Sequence, residues 1–139
     1  MCLTHIDTFI RPAKIGYKVM LKTEGGFIPS YDMFPAYIHV CIQGNKPILK
    51  NKWVNEKEYR LYPAKENLYV PEDLKGKQTY STGFHCYHKK KDARTRIRLQ
   101  EVNCEAIVKV AIRKPIATGY QFERKITVAK EIKILEEVR

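Results

Sequence analysis

The chain has little of what usually announces a chemistry. Its four cysteines, Cys2, Cys41, Cys86 and Cys104, include no closely spaced pair, so the spacing of a zinc site is missing. No basic start followed by an apolar core opens the sequence, so no secretory context supports a disulfide framework. Reduced thiols in the cytosol are the expectation. No run of about 18 apolar residues occurs, which argues against a transmembrane helix. A Gly-rich phosphate loop, a Gly-x-Ser-x-Gly elbow and a His-Glu-x-x-His pair are all absent. Neither an internal repeat nor a low-complexity tail is present.

Acidic residues are also in deficit. There are 15 Asp and Glu against 26 Lys and Arg, and 26 − 15 gives a net charge of +11. The pI is near 9.5. This excess favours an anionic partner such as a nucleic acid, a nucleotide or an acidic surface. Hydrophobic content of 44% and charged content of 29% are ordinary for a globular protein. At 139 residues a single domain spanning 1–139, with one sizeable core, is expected.

Hydrophobic patterning supplies the elements. Ile15 to Leu21 reads as a strand, with Tyr17, Val19 and Leu21 on one face, and Glu24-Gly25-Gly26 as a turn. Phe27 to Phe34 is aromatic but broken by Pro29, and a second apolar run holds Tyr37, Val40 and Ile42. Lys52 to Arg60 suits a short helix or an edge strand. Residues 63–78 read as a long exposed loop, a kind of segment that is often functional. Thr79 to Tyr87 is a strand candidate, and Lys90 to Val102 fits a helix with Asp92 in its first turn and Ala93, Ile97 and Glu101 four apart. Ala106 to Lys114 alternates cleanly, is closed by Pro115 and is followed by a turn at Ala117-Thr-Gly119. Lys125 to Leu135 reads as a strand with Ile126, Val128, Ile132 and Ile134 on one face. The order predicts an α+β fold: a mainly antiparallel sheet with one central helix packed on it.

Candidate functional residues cluster where Tyr80-Ser-Thr-Gly-Phe-His-Cys-Tyr87 runs into His88 and the cationic stretch Lys89 to Arg98. That stretch holds three Lys, three Arg and one Asp, a local +5. Flat rings stack on bases, and Lys and Arg neutralise phosphates. His85 and His88, three apart on a strand, fall on opposite faces and make a poor metal or catalytic pair. Phe84 after Gly83 is either a core residue behind a bulge glycine or a stacking platform. Lys89 to Lys91 at a helix start face an unfavourable dipole that a bound anion would relieve. Arg94, Arg96 and Arg98 spread around the helix, so one or two at most reach any one pocket. Asp92 suits helix-start chemistry as well as a ligand role. Arg113 is a surface arginine or a phosphate clamp, and Trp53 a core, interface or stacking residue.

The segments Met1-Cys-Leu-Thr4, Lys14-Ile-Gly-Tyr-Lys-Val19, Thr82-Gly-Phe-His85 with Lys90-Lys-Asp-Ala93, and the pair Val108 to Arg113 and Val128 to Ile134 together resemble the Thoeris anti-defence protein 1 family of phages. The likeness spans most of the chain outside Phe27 to Lys77. It implies a sponge rather than an enzyme, needing no cofactor. Such proteins sequester, without degrading, a cyclic ADP-ribose isomer (glycocyclic ADP-ribose is one) made by bacterial TIR-domain enzymes, in the cytoplasm of the infected host. Some members also hold cyclic di- or trinucleotides at separate sites. The family forms homo-oligomers built from dimers, with pockets at subunit interfaces; neither a membrane nor a nucleic-acid polymer is expected as partner. Carried onto this chain, the resemblance makes Phe84 the adenine platform, Arg94 or Arg113 the pyrophosphate ligand and Thr82, with backbone groups, a reader of hydroxyls. Asp92, Lys22 and Arg60 complete the expected ligand-binding set. The alternative from the residues alone is a basic nucleic-acid-binding module of a phage.

Overall fold

The computed structural model describes residues 3, 5–7, 9–29, 46–58, 83–99 and 105–138. Its strands are β1 (His5–Ile6), β2 (Ile15–Thr23), β3 (Gly26–Pro29), β4 (Trp53–Asn55), β5 (Phe84–Tyr87), β6 (Glu105–Gln121) and β7 (Arg124–Val138). The helix α1 (Lys90–Leu99) lies between β5 and β6, and a short 3-10 turn, Glu56–Glu58, follows β4. All the strand pairings among these elements are antiparallel. The α+β reading and its mainly antiparallel sheet therefore hold.

The frame is the long β6–β7 hairpin. β2 lies along the free edge of β6 and β5 along the free edge of β7. β2 and β5 then meet at one pair, Tyr17 with Tyr87, which closes the four strands into a ring. Beyond that pair the Lys18 amine takes over, donating to the His85 carbonyl at 3.0 Å. β1 adds to β6 at Gly119 and Tyr120, β4 to β7 at Glu131 to Lys133, and β3 folds back on β2. Gly26 makes that return possible: its φ is +138°, and a Cβ there would lie 2.5 Å from the Ile48 carbonyl oxygen.

Both faces of the ring are apolar. One buries Met20, Phe27, Ile48, Val54, Phe84, Cys86, Val108, Val110, Ile112, Ile132 and Ile134. The other buries Leu3, Ile6, Val19, Tyr87, Ile107, Ile126 and Val128 together with Ala93 of α1. Each fully buried aliphatic or aromatic side chain contributes about 1.5–3 kcal/mol. Burial on both faces explains why β2 and β5 read as nearly continuous apolar runs rather than strict alternation.

Three expectations need correction. Ile126 and Val128 do not share a face with Ile132 and Ile134: the first pair packs with Tyr87 and the second with Met20. The facing changes opposite Lys114, whose φ is positive, and the register shift between Pro115 and Ala117. Pro115 does not close a strand; β6 runs through it to Gln121. Proline is tolerated because the register shifts between Pro115 and Ala117, and at such a bulge a missing N–H need not cost a ladder bond. The turn consequently falls at Phe122-Glu123, not at Ala117 to Gly119. Both turn residues have positive φ, 47° and 69°, the geometry of a type I′ hairpin. The ambiguous Lys52 to Arg60 stretch supplies edge strand β4 and then the 3-10 turn. The expected Tyr37 to Ile42 run, the loop at 63–78 and the end of the helix at 100–102 lie outside the described residues. Among the described residues no helix is long and apolar enough to cross a membrane.

Candidate functional site

On one face of β4, β7 and β6 the antiparallel register sets up two rows of side chains. Asn55, Glu131 and Arg113 lie side by side across the three strands, and Trp53, Lys133 and Ala111 form the neighbouring row. Ala111 adds no bulk at the end of its row. The Arg113 guanidinium lies over the Trp53 ring at 4.1 Å from its centroid, and the Lys133 amine is 5.1 Å from the same centroid. Both distances fall within cation–π range.

Glu131 fixes this arrangement. Its residue is 7% exposed, and its carboxylate accepts bonds from Arg113 Nε, from Lys114 Nζ at 3.0 Å and from Asn55 Nδ2 at 3.1 Å. Consecutive strand residues ordinarily point to opposite faces. Lys114 instead has φ +54°, just before the Pro115 bulge, and both it and Arg113 reach the same carboxylate. The Arg113 bond, then Lys114 and Asn55, holds the Glu131 carboxyl down to about 2, so it stays ionised at any ordinary pH. Three cations and one anion leave a local charge of about +2. Arg113 spends only Nε on Glu131, and its terminal nitrogens make no hydrogen bond among the described residues. The result is an aromatic ring beside a pre-oriented guanidinium and two amines, a set that suits a flat, anionic ligand.

The other expected ligand residues are dispersed. Phe84 is fully buried in the core with Met20, Val110 and Ile132. No face of its ring is exposed for stacking on this chain, which is the position a core phenylalanine behind Gly83 would take. Arg94 is exposed on α1, which packs against the opposite face of the ring from Phe84. Asp92 sits in the first turn of α1, its N–H donating to the Lys89 carbonyl at 3.1 Å. Lys22 pairs with Glu137 at 2.8 Å, on the solvent side of β2. Thr82 and Arg60 lie outside the described residues. Among the described members of the expected set, Arg113 is the one brought against an aromatic ring.

Comparison with protein families, with characterised proteins and with solved structures finds no match to this chain.

The two histidines have separate partners. His85 is buried, its Nδ1 donates to the Gly83 carbonyl at 3.2 Å, and burial holds its pKa well below the usual histidine value. His88 is half-buried, with Nε2 2.6 Å from Thr127 Oγ1; burial first, then Lys125, lowers its pKa, and Asp7 opposes that. Among the described residues no three His, Cys, Asp or Glu side chains converge as a metal site would require. Trp53 and Glu131 carry the site, yet sequence reasoning left the first undecided and missed the second. The available signal was Glu131 itself, a carboxylate in the middle of an apolar strand.

Proposed function

We propose that this protein captures a small nucleotide signal of the cyclic ADP-ribose class and holds it intact, with Arg113 and Trp53 at the centre of the capture site. The observation that carries the reading is the Arg113 guanidinium stacked on Trp53 and braced by Glu131. In this reading the guanidinium and Lys114 take the pyrophosphate, and the Trp53–Arg113 stack offers the adenine a platform. The net charge of +11 raises the local concentration of such an anion. The likeness of the Gly-Phe-His, Lys-Asp-Ala and late-strand segments to the phage sponge family supports the same substrate class. It also supports a dimer-based oligomer, in which a second chain would cover an otherwise open sheet face and exclude water. A sponge working at low signal concentration needs a Kd on the order of nanomolar, roughly −12 kcal/mol.

The test incubates the protein with cyclic ADP-ribose isomers, filters, and then heats the retained fraction. Depletion of the filtrate followed by return of unaltered signal is the expected result, with Arg113→Ala and Trp53→Ala each losing capture. A changed product would make the protein an enzyme. No depletion, or a gel shift with DNA or RNA that fades steeply with salt, would replace this reading with the nucleic-acid module.

A further inference from the structure

A second site stands on different residues at the other end of the β6–β7 hairpin. Asp7 and Arg11 are both tied to Thr118. The Asp7 N–H donates to the Thr118 carbonyl at 2.9 Å, the Thr118 hydroxyl donates to Asp7 Oδ2 at 2.8 Å, and the Arg11 N–H donates to the same hydroxyl at 3.0 Å. Residues 7 and 11 are therefore both pinned on one buried threonine, and residues 9 and 10 form a loop running up to the second anchor. Two residues on, the Ala13 N–H donates to Thr127 Oγ1 at 3.2 Å, and Thr127 is the cross-strand partner of Thr118. These anchors use backbone groups and, among the described side chains of residues 5–11, the Asp7 carboxylate.

Those side chains line a cavity of about 360 Å³: His5, Asp7, Phe9 and Arg11. They alternate by two along the chain. Phe9, between the two pinned residues, is 72% exposed, an unfavourable place for an apolar ring. His5 stands beside Tyr120, their rings 6.2 Å apart. The Arg11 side chain is exposed and makes no ion pair or hydrogen bond among the described residues. The Asp7 carboxylate is oriented by the Thr118 hydroxyl. One opening thus presents a ring face, a guanidinium and a fixed carboxylate.

We propose that this cavity binds a nucleoside 5′-monophosphate. The base stacks on Phe9, the phosphate pairs with Arg11, and the Asp7 carboxylate accepts from the ribose diol or an amino edge of the base. The volume lies at the lower end of the range for small-molecule pockets, which suits one nucleotide rather than a polymer. A zwitterionic amino acid would satisfy the same carboxylate and guanidinium, but it is smaller and gains nothing from a +11 protein; a doubly charged phosphate gains on both counts. The proposal does not depend on the Trp53–Arg113 reading.

Isothermal titration of the full chain with GMP, AMP, CMP and UMP tests it. Binding of the purine nucleotides in the micromolar range is expected, weaker for pyrimidines because they stack less. Phe9→Ala and Arg11→Ala each weaken it by about tenfold or more. Both side chains are exposed, and the loop is held by the backbone of residue 11, so these variants keep the fold; unchanged circular dichroism and Tm verify that. Arg113→Ala leaves this binding intact, which separates the two sites. The proposal is overturned by no binding up to millimolar nucleotide, by equal affinity for inorganic phosphate or for free phenylalanine, by undiminished binding in the two loop variants, or by loss of binding in Arg113→Ala.

Discussion

Gly119→Ala should release the N-terminal segment while leaving the ring standing. A Cβ at residue 119 would lie 2.0 Å from the His5 carbonyl oxygen and 3.0 Å from the Ile6 Cα. The obstructing atoms are backbone, so no side-chain rotation relieves the clash. Reaching ordinary contact near 3.4 Å requires β1 to move by about 1.4 Å. That is enough to carry a 2.9 Å bond such as Asp7 N–H to the Thr118 carbonyl beyond bonding distance. The three bonds between Thr118 and residues 7 and 11 act together with the β1 pairing. At about 1 kcal/mol net each, their loss amounts to about 3 kcal/mol of local stability, or about 100-fold faster amide exchange at Asp7, Arg11 and Ala13. Hydrogen exchange read by NMR or mass spectrometry checks this. The ladder amides of β6 and β7 should keep their protection, because β2 and β5 do not touch Gly119 in the register. Gly25→Ala, whose Cβ would meet only the Pro47 ring at 3.3 Å, is the control for a glycine replacement as such. Unchanged protection at Asp7 in Gly119→Ala would refute the close-approach argument, and loss of protection throughout the ring would refute the idea that the N-terminal segment is a separable strap.

Acid stability, through Glu131 and His85, the hairpin turn and the buried thiol each give a further outcome. The folded Glu131 carboxyl, at about 2 against an ordinary 4.5, contributes stability that is present above pH 4.5 and lost as the pH falls toward 2; urea titrations at pH 5, 4 and 3 should show a shallower acid loss in Glu131→Gln, and parallel slopes would count against the network. The buried His85 adds its own loss as pH falls below 6.5, since protonation must occur in an apolar site. Replacing the left-handed pair Phe122-Glu123 by Asn-Gly should stabilise the hairpin by about 1–2 kcal/mol and raise the Tm by about 3–8 °C, and a fall in Tm would show that Phe122 packs against something that matters more. Cys86 is fully buried with its thiol pushed up to about 11, so it should resist iodoacetamide at pH 8 until denaturant is added; rapid labelling of the native protein would contradict its burial.

Much of the frame was legible because local rules suffice for it. Val108, Val110 and Ile112 alternate with polar neighbours, and Ile126 to Ile134 do nearly so, giving the two long strands; Asp92 and Ala93 mark the helix start. The pairing of Thr118 with Asp7 and Arg11 was not legible, because residues separated by 107 and 111 positions carry no local signal of their contact. The first residues looked aperiodic, although His5, Asp7, Phe9 and Arg11 alternate by two. Polar and charged residues among them hid the pattern from a reading based on hydrophobicity.

The sequence by itself determined the α+β class, the basic charge and the absence of a familiar catalytic motif, since these rest on composition and short-range periodicity. It also singled out Arg113, which stands opposite the apolar face of its strand. Tertiary structure decided which faces were buried. Ring closure through Tyr17 and Tyr87 encloses one sheet face, and α1 with Leu3 and Ile6 covers part of the other, so Phe84 lies in the core beside Met20 and Ile132. Cross-strand register alone brings Glu131, Arg113, Trp53 and Lys133 together, and a positive φ at Lys114 adds its amine. The physical reason is that a side chain's chemistry is written in its own identity, whereas its neighbours are set by pairings between strands far apart in the chain.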